Sequence, residues 1–388
     1  MKCIILNKNY PPNSGITGYS ASLLARYLVD RGVDVTVVTT DAEYGGVKES
    51  ANLGGVTVIA VRAIYQGKNK YLRLIASLYE GYQLTKQASK LKAATWICMT
   101  DPPLLNLWVG FMAKKLKLPW AYWTMDLYPD AFYAAGFAKK SNYVYRILIY
   151  FIKKNQPDFI ISLGSQQANY LTKEYGYSSP IVLLPCGVSK NKKDESPPKW
   201  ANGNYEILFG YAGNIGEAHN ADFLIEVIRK IDYKKNRFVL SLYGSHANFV
   251  INEVKGIEGL IIVETIAQSQ LRFIDIHLAS LIPKWDHICV PSKAVTSICQ
   301  GGALLYFGSE NNDNWRLLGD CGWRIDPDYD LERQVVLFLD NLNIDELATK
   351  KKLCGLKAID LEEIEMNAYK EIYRLLSDLE ASDGFKIR

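Results

Sequence analysis

The sequence predicts an α/β protein built as two doubly wound, Rossmann-like domains facing a cleft. Short β-branched runs alternate with helical stretches along nearly the whole chain, which argues for βαβ units and parallel sheets. The alternation lapses once, near 188–204, and then restarts. A length of 388 residues is generous for one hydrophobic core and ordinary for two.

In the first half, strand candidates lie at 3–6 and 33–39 around a helical stretch at 19–30. Others follow at 56–61, 96–99, 121–125, 159–163 and 181–184. Asp101-Pro102 reads as a helix N-cap followed by proline in the first turn. Residues 188–204 combine charge, a proline pair and no apolar period, the composition of a linker. Strand candidates resume at 205–211, 238–243, 260–263, 276–281, 303–307 and 323–325, and the last fifty residues are helical and charged. In such sheets ligands bind beyond the carboxyl ends of the strands, so the loops after strands are where chemistry is expected.

With 48% hydrophobic and 22% charged residues the composition is that of a globular protein. Apolar stretches are broken early by charge, so no membrane-spanning helix is expected. The chain runs from Met1 straight into a strand, which leaves no room for a signal peptide. Seven scattered cysteines without a C-x-x-C pair point to a reduced protein with no structural zinc. Residues 1–190 carry 22 Lys+Arg against 11 Asp+Glu, while the rest carries 23 against 30. A basic half fits either an anionic partner surface or simply solvated helices.

Four loops could carry chemistry. After the first strand, Gly15 and Gly18 precede a helix and either admit an anion to backbone amides or merely turn the chain. There is no G-x-G-x-x-G, so a nicotinamide cofactor is not indicated. Gly210 to Asn220 offers Gly213, Asn214 and Gly216, with His219 about one turn into the next helix as a ligand contact or a helix cap. In the segment Trp285 to Lys293, Pro291, Ser292 and Lys293 start a helix with a hydroxyl, free amides and a cation. They suit a leaving diphosphate, or form a capped helix with a surface lysine. After the strand at 121–125, Asp126 and Asp130 stand where an acceptor hydroxyl is bound or deprotonated, or where helices are capped. Basic, aromatic helical stretches at 68–92 and 137–154 suit an anionic membrane surface, or pack ordinarily on the sheet. Nothing resembles a nucleic-acid recognition motif.

Taken in order, these pieces resemble the retaining GT-B glycosyltransferases of family four, in the bacterial branch that builds capsule, exopolysaccharide and O-antigen units. The carriers are Tyr10-Pro-Pro with Gly15, the strand entry Arg31-Gly-Val-Asp-Val-Thr-Val-Val, and Asp126-Leu-Tyr-Pro-Asp130, like a DLYPD signature. Tyr211 to His219, similar to YSGNLGRAH, Val290-Pro-Ser-Lys293 and Gly319-Asp-Cys-Gly-Trp-Arg-Ile complete the set. The resemblance implies an acceptor-binding domain at 1–188, a nucleotide-sugar domain at 189–364 and a final helix, 365–388, packing back on the first.

It further implies a UDP-hexose or UDP-N-acetylhexosamine donor and a lipid-linked saccharide acceptor at the cytoplasmic membrane face. No metal is expected, and neither is a protein nucleophile. Gly15 would approach the donor phosphates, and Gly213, Asn214, Gly216 and His219 would line the donor pocket. Tyr243, Gly244 and Ser245 would lie near the nucleobase, Asp286 near the sugar hydroxyls, and Pro291, Ser292 and Lys293 at the diphosphate. Asp126 would be catalytic, with Tyr128 and Asp130 at the acceptor. The sequence departs from the family at Ile288 and Thr296, where the wider family has a glutamate pair. It departs again at Glu217, where relatives carry a basic residue, and Asp126 stands where many members place a histidine. These departures also fit an alternative, a catalytically impaired nucleotide-sugar-binding relative with a regulatory or scaffold role.

Overall fold

The computed structural model describes residues 1–12, 15–41, 54–65, 67, 69–91, 95–189 and 196–384. Within them the chain forms two compact units, Met1–Leu184 with Glu365–Arg388, and Pro185–Ile364. Parts of the first-loop, linker, basic-stretch and final-helix readings, at 13–14, 190–195, 68, 92 and 385–388, lie outside the described residues.

The first unit runs β1 (Lys2–Leu6), α1 (Ile16–Val29), β2 (Asp34–Thr40), β3 (Thr57–Val61), α2 (Lys70–Ala88), β4 (Thr95–Cys98) and α3 (Leu105–Leu116). It continues with β5 (Trp120–Thr124), α4 (Asp130–Ala134), α5 (Tyr143–Lys154), β6 (Phe159–Ser162), α6 (Ser165–Tyr170) and β7 (Ile181–Leu183). Among the described residues its seven strands pair in parallel in the order β3-β2-β1-β4-β5-β6-β7. Central strands β4, β5 and β6 are buried at every residue, whereas the edge strand β3 is half exposed. Covering both faces of a parallel sheet produces that difference, and it explains why the central strands read as unbroken apolar runs.

The second unit runs β8 (Leu208–Asn214), α7 (Ala221–Lys230), β9 (Arg237–Tyr243), α8 (Ala247–Val254), β10 (Leu260–Ile262) and β11 (Ile276–Ser280). Then come α9 (Ser292–Cys299), β12 (Ala303–Phe307), α10 (Asp313–Leu318), β13 (Gly322–Ile325), α11 (Leu331–Asn341) and α12 (Ile344–Gly384). Its parallel sheet is ordered β10-β9-β8-β11-β12-β13. The strand order thus reverses between β1 and β4 in one sheet and between β8 and β11 in the other. Loops after those strands diverge there and leave a crevice at the carboxyl edge.

Two local expectations change. Asp101-Pro102 does not start a helix: α3 begins at Leu105, after Leu104 in the left-handed region at φ 66°. The end of the expected linker is packed, since Trp200, Ala201 and Tyr205 lie against the cluster of Leu208, Val239 and Ile274. Helix α12 is continuous, and its residues from Glu365 onward belong to the first unit. There Tyr369 meets Tyr27 ring to ring at 5.2 Å, and Glu380 pairs with the amino group of Met1 at 3.1 Å.

Gly18 is a packing glycine. A Cβ there would sit 2.9 Å from the carbonyl of Asn9, so α1 lies directly on the backbone of the loop before it. Gly18→Ala is expected to destabilise the protein by about 1–3 kcal/mol through overpacking against backbone that cannot yield. Chemical denaturation followed by circular dichroism measures this.

Candidate functional site

In the second unit the crevice is lined by the loops after β8, β9 and β11. Gly213, at φ 121°, turns the end of β8, and the side chain of Asn214 folds over Gly244, at φ 113°. A Cβ on Gly244 would collide with Asn214 Oδ1 and stand 2.8 Å from the Ile215 carbonyl, so both positions require glycine. Ile215 N–H donates to the Tyr243 carbonyl (2.8 Å), and His246 N–H donates back to the Ile215 carbonyl (3.0 Å). The two loops are thereby tied together, with Tyr243, Gly244 and Ser245 exposed on the rim.

Lys293, in the first turn of α9, reaches into this crevice. Its Nζ donates to the Asn214 carbonyl at 2.7 Å and to the Tyr211 hydroxyl, and lies 3.9 Å from the centre of the Tyr211 ring. The Tyr211 hydroxyl in turn donates to the Asn214 carbonyl (2.9 Å). All these oxygens are neutral. Burial therefore dominates, and the Lys293 ammonium is pushed down to about 7. Gly213 leaves the space above the ammonium open: a Cβ there would be 3.9 Å from Lys293 Nζ. No side chain caps the N-terminus of α9, whose first residue is Ser292, and the Pro291 carbonyl is held by Asn314 Nδ2 at 3.1 Å. An anion placed here would meet a desolvated cation and the amide end of a helix.

His219 is not one turn into a helix. Asn220 caps α7 by accepting the Phe223 N–H at 2.7 Å, which leaves His219 just outside. Its Nδ1 faces the Ser280 carbonyl at 2.7 Å. A carbonyl only accepts, so Nδ1 carries the proton and Nε2 is left as an acceptor. Burial, then the Lys293 cation, pushes the ring down to about 3, and it stays neutral at physiological pH. Gly216 lies against the Asn214 amide. The Asp286 carboxyl sits beside Ser309 and Asn312, with burial raising its proton affinity and Oδ1 buried without a hydrogen-bond partner.

The departures from the family pattern acquire a geometry. Ile288 is buried, and Thr296 donates to the Gly187 carbonyl at 2.9 Å, so neither faces a ligand. Glu217 reaches toward His246 Nε2, 3.7 Å away.

In the first unit, Asp126 follows β5 and is half-buried, its N–H donating to Thr100 Oγ1 at 3.1 Å. Burial, then the charge of Asp101, holds its carboxyl up at about 6. Asp101 was read from sequence as a cap; its place beside Asp126 is visible only in the fold. Gly15 sits against the side chain of Asn9, 3.5 Å from where a Cβ would stand. Tyr128 packs on Phe132 at 4.9 Å between ring centres.

Asp130 does not fit the acceptor role expected of it. Its carboxylate is buried and accepts from Tyr145 Oη (2.6 Å), Tyr170 Oη (2.9 Å) and Tyr175 Oη, with Lys140 Nζ at 4.0 Å. Its acceptor sites are filled by the protein, and it anchors α4 to α5 and to the segment around α6. Among the described residues no group of three or more His, Cys, Asp or Glu is placed to hold a metal ion.

The family model described as Glycosyltransferase Family 4 matches residues 18–192. No curated protein matches the chain. Sucrose-phosphate synthase from Thermosynechococcus elongatus superposes with a TM-score of 0.73 at 13% identity, covering 98% of this chain and 100% of that one. WaaG, described as a glycosyltransferase involved in lipopolysaccharide biosynthesis, gives 0.68 at 14% identity, covering 96% and 99%. Anabaena HepE in complex with UDP-glucose gives 0.65 at 12% identity, also covering 96% and 99%. The fold is that of the GT-B glycosyltransferases.

Asp130→Ala is expected to cost about 3 kcal/mol, because three phenols, two of them buried, and a lysine lose their common acceptor. Thermal and denaturant unfolding check the value.

Proposed function

We propose that the protein is a retaining glycosyltransferase of family-four type that takes a UDP-sugar on its second unit and transfers the sugar to a lipid-linked saccharide. The observation that carries this reading is the desolvated Lys293 ammonium above Gly213, at the amide end of α9 and at the switch point of the sheet. Three features favour a diphosphate there: a cation with only neutral partners, unblocked helix amides and open space.

In the proposed reaction the bond from the sugar C1 to the diphosphate oxygen breaks while the acceptor oxygen forms its bond to C1 on the same face. The departing phosphate takes the acceptor proton, and no protein nucleophile or metal is needed. Lys293 stabilises the leaving charge. Neutral His219, with Nε2 as an acceptor, suits a donor-sugar hydroxyl. The exposed turn Tyr243–Gly244–Ser245 suits the nucleobase, and Asp286 is assigned to a sugar hydroxyl on the family resemblance. Asp126 accepts a hydrogen bond from the acceptor hydroxyl.

The test is direct. Lys293→Ala should lower transfer from a UDP-sugar by at least about 100-fold, the scale of a lost oxyanion-type contact, with the melting temperature little changed. UDP binding should also report the lysine. The ammonium binds the diphosphate only when protonated, so UDP affinity is greatest below pH 7 and falls as pH rises through about 7, by up to tenfold per unit. Calorimetry should show this slope in the wild type and its absence in Lys293→Met. Wild-type transfer by Lys293→Ala would remove the assignment, and UDP-sugar binding without transfer to any lipid-linked acceptor would favour the impaired-relative alternative.

A lipid-linked acceptor requires access to a membrane, and the described residues contain no helix long and apolar enough to cross one. Support for a surface role comes from α3 and from α2 and α5, each of which it neighbours. They expose Ile75, Tyr79, Phe111, Tyr143, Val144, Tyr150 and Phe151. Lys153 and Lys154 end α5, with Lys154 Nζ 5.8 Å from the Tyr150 ring. Aromatic side chains interleaved with lysine match the interface of an anionic bilayer. The full chain should float with vesicles containing anionic lipid and much less with neutral ones, and Tyr150→Glu with Phe151→Glu should abolish flotation. Equal partitioning onto both vesicle types would count against the electrostatic part.

A further inference from the structure

We infer that Asp101 is a positioning residue for Asp126, locked by Asn9, and that the three side chains join the loop after β1 to the carboxyl after β5. The inference rests on the reading of Asp126 as the group facing the acceptor hydroxyl.

Strands β1, β4 and β5 are consecutive neighbours in the first sheet, so their following loops lie side by side at one edge. The Asp126 N–H is held by Thr100 Oγ1 (3.1 Å), the residue next to Asp101. Asn9 is buried, its Nδ2 donates to Asp101 Oδ2, and its own carbonyl is fixed by Asn7 Nδ2 at 2.6 Å. The Lys8 N–H fixes the Asp101 carbonyl at 2.6 Å. Asn9 also underlies Gly15, so this arrangement begins in the loop expected to approach the donor phosphates.

The charges explain what the arrangement does. Lys8 Nζ is engaged by Glu80, a fully buried carboxylate 2.7 Å away on α2. Lys8 and Arg73 still act on Asp101, whereas the charge that acts on Asp126 is that of Asp101. Burial raises Asp101 to about 6, Lys8 and Arg73 oppose this and Glu80 adds to it; Asp126 feels burial and then Asp101. The buried Tyr122 phenol on β5 is the further titratable group beside Asp126. Two carboxyls on adjoining loops that act on one another ionise one after the other. The Asn9 amide donates, so it favours the ionised form of Asp101. The proton that remains on the pair then belongs to Asp126, and Asp101 sets the pH below which Asp126 stops accepting a hydrogen bond from the acceptor hydroxyl.

The test uses the full chain labelled with carboxyl-13C aspartate, the Asp126 resonance being identified by its loss in Asp126→Asn. In Asp101→Asn the Asp126 midpoint should fall, by up to about one pH unit, since burial supplies the larger part of the rise and remains. In Asn9→Ala, which keeps both carboxyls, the proton moves toward Asp101 and the Asp126 midpoint should also fall. With a UDP-sugar and a lipid-linked acceptor, the acid limb of kcat should move with the midpoint while KM for the donor stays put. An unmoved Asp126 midpoint in both variants overturns the inference, whatever the activity. A moved midpoint with transfer indifferent to Asp126→Asn upholds the coupling and overturns instead the reading of Asp126 as the acceptor-side group.

Discussion

Lys293 carries its charge into a crevice that offers it only a carbonyl and a phenol. Such a placement is unfavourable for the free protein, since burial removes water and supplies no counter-charge. It persists because the surrounding backbone is over-determined. Gly213 and Gly244 take left-handed conformations, Asn214 closes over Gly244, and α9 is seated against Gly187, where a Cβ would meet the Ser292 carbonyl. The strain and the desolvation converge on one point.

The first unit shows the opposite sign of the same device. Asp126 and Asp101 are partly buried carboxyls, and Lys8, the cation that acts most on Asp101, is paired with Glu80. A short distance along the chain, Asp130 is buried more deeply yet fully served by three tyrosines and Lys140. The contrast separates roles: a carboxylate with every acceptor site filled holds helices together, and one left beside a like charge keeps a proton affinity suited to chemistry.

Much of the fold was legible in the sequence. All thirteen strand candidates coincide with strands among the described residues, because a parallel strand covered on both faces leaves a continuous apolar run. The main slip, β8 at Leu208–Asn214 against the expected 205–211, arose because Tyr205 is apolar enough to look like strand while packing beside Trp200 on the cluster beneath. Helix starts were harder. Asp101-Pro102 has the composition of a cap, but its aspartate is used by Asn9 and its helix begins three residues after Pro102. The glycines also look alike in sequence: Gly213 opens space over Lys293, whereas Gly18 lets α1 rest on the Asn9 backbone.

By itself, then, the sequence determined the local periods, the two parallel sheets and the loops in which polar residues gather after strands. These follow from burial and backbone punctuation, which act over a few residues. Only the tertiary structure decided which polar atoms face one another. Lys293 meets the carbonyl of Asn214 across 79 residues of chain because β8 and β11 are neighbours at the reversal of strand order. Asp101 meets Asn9 across 92 because β1 adjoins β4. A carboxylate or an ammonium takes its chemical character from such long-range neighbours and from the water they exclude, and no local pattern encodes either.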